Sequence, residues 1–187
     1  KGLLNEDSQQ ARGRLVVTTS VDFGSTWLAP RLSFFSKKHP KLEMKVLLSE
    51  EWFALHEREA DVAIRFGRSE YLEMHNRFLI TLDWGLYAHK DYLSESPPIL
   101  IPDDLKGHRV ISFADRLPQP SQEVLWHQEL ARANGCPEYN FVRINNLSGM
   151  YNLALNGGGI AMLPHFMVDS TSSLRPVLRE LSVPSVD

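Results

Sequence analysis

The sequence is poor in the residues that build redox and metal centres. Among its 187 residues there is one cysteine, Cys136, which excludes an internal disulfide and a thiolate cluster for zinc or iron–sulfur. The seven histidines are scattered, and no two of them stand four residues apart on one predicted helix, where they could share a metal ion. We therefore expect no metal and no cofactor.

An excess of positive charge and long apolar runs are lacking as well. The formal net charge is −3 and the isoelectric point is about 6.2, whereas a domain that holds nucleic acid by itself is usually basic. No apolar run is long enough to span a bilayer. The chain begins "KGLLNEDSQQARGR", without a methionine or the apolar core of a signal peptide. We therefore expect a fragment of a longer protein, with no membrane contact.

Catalytic signatures are missing too. The chain has no nucleophile elbow, Walker loop or HExxH motif. The glycines of "NGGGI" follow a predicted helix and precede a strand, which is the reverse of a phosphate-binding loop, so they indicate a helix stop. Asp61 and Asp83 lie in extended stretches without a visible partner for acid–base chemistry. The sequence therefore does not predict an enzyme.

Apolar strands and amphipathic helices alternate in the first part of the chain. The predicted strands are "GRLVVTTS", "KLEMKVLLS" and "ADVAIRF", and "FGSTWLAPRLSFFSKKHP" and "EEWFALHERE" are the helices between them. Leu28, Leu32 and Phe35 form the stripe of a core-facing helix, in which Pro30 either sits near the first turn or bends the helix. This order predicts an α/β fold with a parallel sheet.

The alternation of strands and helices is repeated in the second part of the chain. An extended stretch, "NRFLITLDWGLYAH", leads to the strands "HRVISF", "YNFVRIN", "GIAML" and "LRPVL". The helices are "SQEVLWHQELARANG", with Ser121 as N-cap and Gly135 as stop, and "NLSGMYNLALNGGG". The repetition predicts two α/β lobes.

Three hydroxyl side chains stand where the first strand gives way to a helix. Thr18, Thr19 and Ser20 could cap the first helical turn. They could also help to bind an anion, because a helix N-terminus is partly positive and presents N–H donors.

Four stretches resemble the effector-binding domain of LysR-type transcriptional regulators. The stretch from "GRLVVTTS" to "KLEMKV" is similar to that family's opening strand and "LxPxLxxFxxxxP" helix. "EREADVAIRFG" resembles "xxGxxDxAIRxG", and "LYAHKDYL" followed by "PDDLKGHRVISF" is similar to the next conserved block. "NNLSGMYNLALNGGGIAMLPHFMV" resembles the family's "aGxGIaxLP" segment. Each motif alone is weak, but four in order identify the family.

The resemblance implies a type 2 periplasmic-binding-protein-like fold, in which two α/β lobes are joined by two crossover strands and a small molecule binds in the cleft. Lobe I would comprise residues 13–83 and 166–187, and lobe II residues 84–165. Residues 1–12 resemble the end of a linker helix. The family's N-terminal winged helix-turn-helix would be absent from this chain.

The resemblance also implies an effector site at the carboxyl ends of the strands, where ligands of α/β sheets bind. Ser20 stands where the family often holds its effector, with a helix cap as the alternative. Thr19 is a weaker candidate, because neighbours on a strand face opposite sides. Ser49 ends the second strand and either contacts the effector or caps the next helix.

Four further candidates complete the predicted effector site. Arg65 and Gly67 match "AIRxG" and would border the cleft, although Arg65 could instead form a salt bridge with an acidic neighbour. Asn146 begins the helix of lobe II and either faces Ser20 or caps that helix. Trp84 is larger than the family's usual residue at the first crossover strand. It either lines the effector pocket or packs within the hinge.

Two side chains could sense chemical conditions. Cys136 lies in "NGCPEY", which indicates a surface turn, where a thiol is either an ordinary loop residue or an oxidation sensor. His165 lies near the return crossing and could make cleft closure pH-sensitive. We expect the ordinary structural role for both.

We therefore predict the ligand-sensing domain of a cytoplasmic, DNA-binding LysR-type transcription factor. Its effector would be a small anionic metabolite, with a neutral or aromatic compound as the alternative. By resemblance, the chain would form a homodimer or tetramer, with the helix near 25–38 against the helix near 121–134 of a second copy. It would reach DNA only through the absent N-terminal domain. The alternative function is a free-standing solute-binding protein of a transport system.

Overall fold

The structure is a computed structural model that describes residues 11–50, 60–66, 75–114 and 122–185, with the backbone alone for 122–124. The chain divides into two compact units, Lys1–Arg65 and Phe66–Asp187. All but the first residue of the helix predicted over 50–59 lies outside the described residues, as do the candidate Gly67 and the predicted cap Ser121.

The first unit contains a three-stranded parallel sheet. Its strands are β1 (Gly13–Thr19), β2 (Leu42–Leu48) and β3 (Val62–Ile64), in the order β2-β1-β3. Thr19 is in register with Leu48 and with Ile64, so all three strands end at the same edge. The predicted parallel arrangement is confirmed.

The helix after β1 is interrupted by a π-helical turn. It begins as α1 (Val21–Phe23), widens over Gly24–Leu28 and continues as α2 (Ala29–Lys38). The Ala29 N–H donates to the Gly24 carbonyl, five residues earlier. Pro30 follows directly, in the first turn of α2, where its missing N–H costs least. Pro30 thus sits near the start of a regular helix, as predicted, with the irregular turn just before it.

Burial in the first unit is shallower than the sequence pattern predicts. Leu28 and Leu32 are half-buried, but Phe35 is 36% exposed, and no residue of α2 is buried. Strand β3 is all apolar, yet Val62 at its start is 45% exposed. Among the described residues, this unit therefore keeps exposed apolar side chains on α2 and β3.

The second unit contains a five-stranded mixed sheet. Its strands are β4 (Trp84–His89), β5 (Val110–Phe113), β6 (Phe141–Ile144), β7 (Ile160–Pro164) and β8 (Leu174–Val177). Their order is β6-β5-β7-β4-β8. β5 pairs parallel with β6 and β7, whereas β4 pairs antiparallel with β7 and β8. The sequence analysis assigned 166–187 to lobe I, while β8 belongs to this second sheet. The lobe boundaries stay a prediction.

Helices cover the second sheet and end where the glycines predict. The helices are α3 (Lys90–Glu95), α4 (Gln122–Ala133) and α5 (Leu147–Leu155). After α4, Gly135 has φ +78°. After α5, Gly157 has φ +75°, and the Gly158 N–H donates to the Leu153 carbonyl at 2.9 Å. Such left-handed positions favour glycine and end helices, which confirms both predicted stops.

Cys136 does not lie in a surface turn, and this prediction is wrong. Its side chain is 6% exposed and belongs to the core of the second unit, and its sulfur lies 4.0 Å from the His108 carbonyl oxygen. Burial, as the main cause, raises the pKa of the Cys136 thiol. The polar neighbours in "NGCPEY" concealed a side chain that turns inward after α4.

Within the described part of the chain, no helix is long and apolar enough to cross a membrane.

Candidate functional site

The three strand ends of the first sheet bring together most of the predicted site residues of that unit. Thr19 ends β1 and Ser20 follows it, while Ser49 and Arg65 follow β2 and β3. The Ser49 N–H donates to the Thr19 carbonyl at 3.0 Å, which fixes the ends of β1 and β2 to each other. We call Thr18, Thr19, Ser20, Ser49 and Arg65 the carboxyl-end cluster.

Arg65 ties the three strand ends of the cluster together. Its Nη2 donates to Thr18 Oγ1 at 2.9 Å, and its Nη1 donates to the Ser49 carbonyl oxygen. Burial is the main influence on the Arg65 pKa and lowers it, while the charge of Glu50 acts in the opposite direction. The guanidinium therefore holds one edge of the site in place.

Ser20 occupies the N-cap position of α1 but does not cap it. Its backbone is extended, with φ −60° and ψ 153°, and its side chain makes no capping hydrogen bond. The residue is 6% exposed. The capping alternative for Ser20 is therefore not observed.

Glu50 takes the capping role instead. Its Oε1 accepts a hydrogen bond from the Val21 N–H at 2.9 Å, so a carboxylate of the chain itself occupies the partly positive start of the helix. Glu50 is not among the site residues predicted from the sequence. The available signal was its position directly after Ser49, because the carboxyl ends of parallel neighbouring strands meet at one edge.

Thr19 faces the helix that packs on the sheet. A Cβ atom added at Gly24 would lie 2.8 Å from Thr19 Cγ2, so the two residues are in close contact. Thr19 is fully buried, and its Oγ1 has no hydrogen-bond partner among the described residues. Thr18 turns the other way, towards Arg65, as strand alternation requires.

Asn146 and Trp84 belong to the second unit. The Asn146 side chain caps α5 by accepting a hydrogen bond from the Gly149 N–H at 2.6 Å, which is the structural alternative weighed from the sequence. Trp84 begins β4 opposite Pro164 and is 4% exposed within the core. Its indole Nε1 is buried without a hydrogen-bond partner in the described part of the chain. Effector contact by either residue stays a prediction.

A separate polar cavity of about 570 Å³ lies within the second unit. Its lining includes Asp91 and Glu95 of α3, Arg109, and Asn156 at the end of α5. The sequence analysis named none of these residues, because no motif joins them along the chain.

The residues that the structure describes contain no group of three or more His, Cys, Asp or Glu side chains that could hold a metal ion.

Comparison with known proteins gives a single family. The family model of the LysR substrate binding domain matches residues 8–186. The chain is 29% identical over 160 residues to an uncharacterized HTH-type transcriptional regulator of Haemophilus influenzae, a match that covers 84% of this chain and 54% of that protein. It is 27% identical over 174 residues to the HTH-type transcriptional regulator CrgA of Neisseria meningitidis serogroup C, which covers 90% and 56% of the two chains.

The fold is similar to that of a solved regulatory domain. The regulatory domain of CrgA, a LysR-type transcriptional regulator from Neisseria meningitidis, superimposes with a TM-score of 0.75 at 25% identity, over 94% of this chain and 86% of that one. This likeness confirms the predicted type 2 periplasmic-binding-protein-like fold. The chain spans about half the length of the curated relatives it matches.

Proposed function

The chain belongs to the family of LysR substrate-binding domains, and from that premise we propose that it senses a small metabolite on behalf of a DNA-binding transcription regulator. The observation that carries this proposal is the family match over 8–186, nearly the whole chain. The relatives reported above are named as regulators, and we propose neither a reaction nor a transport role.

The effector would bind at the carboxyl-end cluster. Ser20 supports this site, because its hydroxyl makes no capping hydrogen bond and can serve a ligand. Ser49 and Arg65 lie at the same edge, and by family resemblance Gly67, Trp84 and Asn146 would complete the site.

An anionic effector would have to compete with Glu50. The Val21 N–H, which could donate a hydrogen bond to a bound anion, already donates to the Glu50 carboxylate at 2.9 Å. A carboxylate or phosphate must displace Glu50 to reach this donor, whereas a neutral effector need not. We keep a small anion as the proposed class of effector, with a neutral or aromatic compound as the alternative.

Self-association would carry the signal. Binding can signal only if it favours one arrangement of the protein over another, and in the proposed homodimer or tetramer α2 would pack against α4 of a second copy. The exposed apolar surface of α2, with Phe34 75% exposed, supports that role. The DNA-reading domain would precede this chain, and the whole regulator would act in the cytoplasm, where the DNA is.

The intact mass of the protein in its native cell tests this proposal. We expect a mass well above the 21.3 kDa of this chain, with the excess on the N-terminal side and a helix-turn-helix within it. A native protein of about this chain's mass would contradict the regulator and favour a free-standing binding protein.

A further inference from the structure

The first sheet carries exposed basic residues at the ends where its strands begin and along its edge strand β2. Gly13 starts β1, and its N–H donates to the Lys41 carbonyl, just before β2, at 3.2 Å. Helix α2 ends at Lys38, close to this point. The basic edge, as we define it, consists of the exposed residues Arg12, Lys37, Lys38, Lys41 and Lys45.

These charges form no ion pairs within the part of the chain that the structure describes. None of the five forms an ion pair with any residue that the structure describes. The acidic residue on this part of β2 is Glu43, which lies between Lys41 and Lys45 on one face of the strand and opposite the exposed Arg14. Asp61 accepts a hydrogen bond from the Val16 N–H at 2.8 Å, on the side of β1 that faces β3 and not β2. With Arg14 and Glu43 included, the described residues of the edge therefore present about five net positive charges to solvent.

Fold stability accounts for only part of this arrangement. Lys37 and Lys38 stand in the last turn of α2, where cations stabilise a helix through its dipole. That explanation does not apply to Arg12 before β1, Lys41 in the turn or Lys45 on β2. Clustering like charges also raises their mutual repulsion, so a partner that supplies negative charge would stabilise the edge.

We propose that the basic edge binds the phosphate backbone of double-stranded DNA, so that contact with DNA is not confined, as the sequence predicts, to the absent N-terminal domain. Its cations lie along a sheet edge and do not converge on one point, which suits a row of phosphates better than one small anion. The net charge of −3 conceals this local excess. The choice of DNA rests on the proposed function, since a DNA-reading domain that precedes β1 would bring DNA to the side where β1 begins.

Fluorescence anisotropy with a short labelled duplex of arbitrary sequence tests the proposal on this chain over a range of salt concentrations. We expect weak, sequence-independent binding at low salt. The logarithm of the binding constant should fall against the logarithm of salt with a slope of at most about 4.5, or 0.9 per phosphate contact. The variant Lys37→Gln/Lys38→Gln should lower that slope by about 2.

The matched control is Arg77→Gln/Lys90→Gln, which removes the same charge from exposed positions of the second unit. It should leave the slope unchanged. Equal losses in both variants, or no DNA binding at low salt, would overturn the proposal. Binding to polyglutamate but not to DNA would overturn it in favour of an acidic protein partner. The native intact mass tests the proposed function separately, so the two failures are distinguishable.

Discussion

At the scale of single residues, substitution of Ser20 distinguishes a role in effector binding from a role in helix capping. Because its hydroxyl makes no capping hydrogen bond, Ser20→Ala should lower the free energy of unfolding by less than the ~1 kcal/mol that a lost cap costs. Effector binding should weaken nonetheless. Urea unfolding of the variant measures the first effect, and calorimetric titration measures the second once an effector is known.

Asn146 provides the matched control, because it does cap a helix. Its side chain accepts a hydrogen bond from the Gly149 N–H at 2.6 Å, so Asn146→Ala should cost about 1 kcal/mol of stability. If Ser20→Ala costs as much as Asn146→Ala and leaves affinity unchanged, Ser20 is a structural residue and the proposed site is wrong.

His108 should make the second unit sensitive to acid. The residue is 1% exposed, its Nδ1 lies 3.1 Å from the Tyr92 hydroxyl, and its Nε2 has no hydrogen-bond partner among the described residues. Burial, as the main cause, lowers the pKa of His108, while the charge of Asp104 opposes this.

A histidine whose pKa is lower in the folded state is harder to protonate there than in the unfolded chain. The contribution of neutral His108 to the free energy of unfolding is therefore complete above the ordinary histidine pKa of about 6.5. It is lost as the pH falls from there towards the pKa of His108 in the folded protein. Urea unfolding at several pH values should show this loss, and His108→Gln should reduce it. An unchanged pH dependence in the variant would assign the loss to other groups.

At the scale of elements, the packing of the π-helical turn on the sheet depends on Gly24. A Cβ atom at this position would lie 2.2 Å from Leu48 Cδ2 and 2.8 Å from Thr19 Cγ2. Gly24→Ala should therefore destabilise the protein by about 1–3 kcal/mol, the usual cost of overpacking. Thermal unfolding measures the loss.

Gly107 is the control for this substitution. A Cβ atom there would meet nothing within 4 Å, so Gly107→Ala should be neutral or stabilise the protein by up to about 1 kcal/mol. If both variants unfold alike, the close approach of the helix to β1 and β2 is not what fixes their packing.

Element types follow from the sequence more readily than burial does. Apolar runs and helical patterns identify β1, β2, α5 and the order of elements along the chain, and glycines give the ends of α4 and α5. The extent to which α2 is buried could not be predicted in this way. A stripe of apolar residues shows which face of a helix turns towards the core, but not how completely other residues cover that face. The wide turn before Pro30 likewise depends on packing against Thr19 and Leu48.

At the scale of the whole molecule, the grouping of candidate site residues was predictable from the sequence where it depends only on the order and direction of the strands. Ser20, Ser49 and Arg65 meet because parallel strands end at one edge. Glu50 was missed because its role depends on where a flexible side chain reaches, and Cys136 was misplaced because its neighbours are polar. Total charge likewise could not show the basic edge, since acidic residues elsewhere in the sequence cancel it.

Self-association is the second property of the whole molecule that can be tested. Phe34 is 75% exposed on α2, so Phe34→Glu should shift the protein towards monomer in sedimentation experiments if α2 lies in the proposed interface. Tyr139→Glu alters a residue that is 86% exposed in the second unit and should not. A wild-type monomer, or equal effects of both variants, would contradict the interface.

The central claim is that this chain binds a small metabolite at the carboxyl-end cluster, and ligand-induced stabilisation tests it most directly. The measurement is the thermal unfolding of the wild-type chain and of Ser20→Ala with fractions of a small-molecule extract from the native cell. We predict that one fraction raises the wild-type midpoint, because a ligand at 100 times its Kd adds about 2.7 kcal/mol to the free energy of unfolding, and that the midpoint of Ser20→Ala rises less. If no fraction raises the midpoint, or if the variant responds equally, the claim is contradicted.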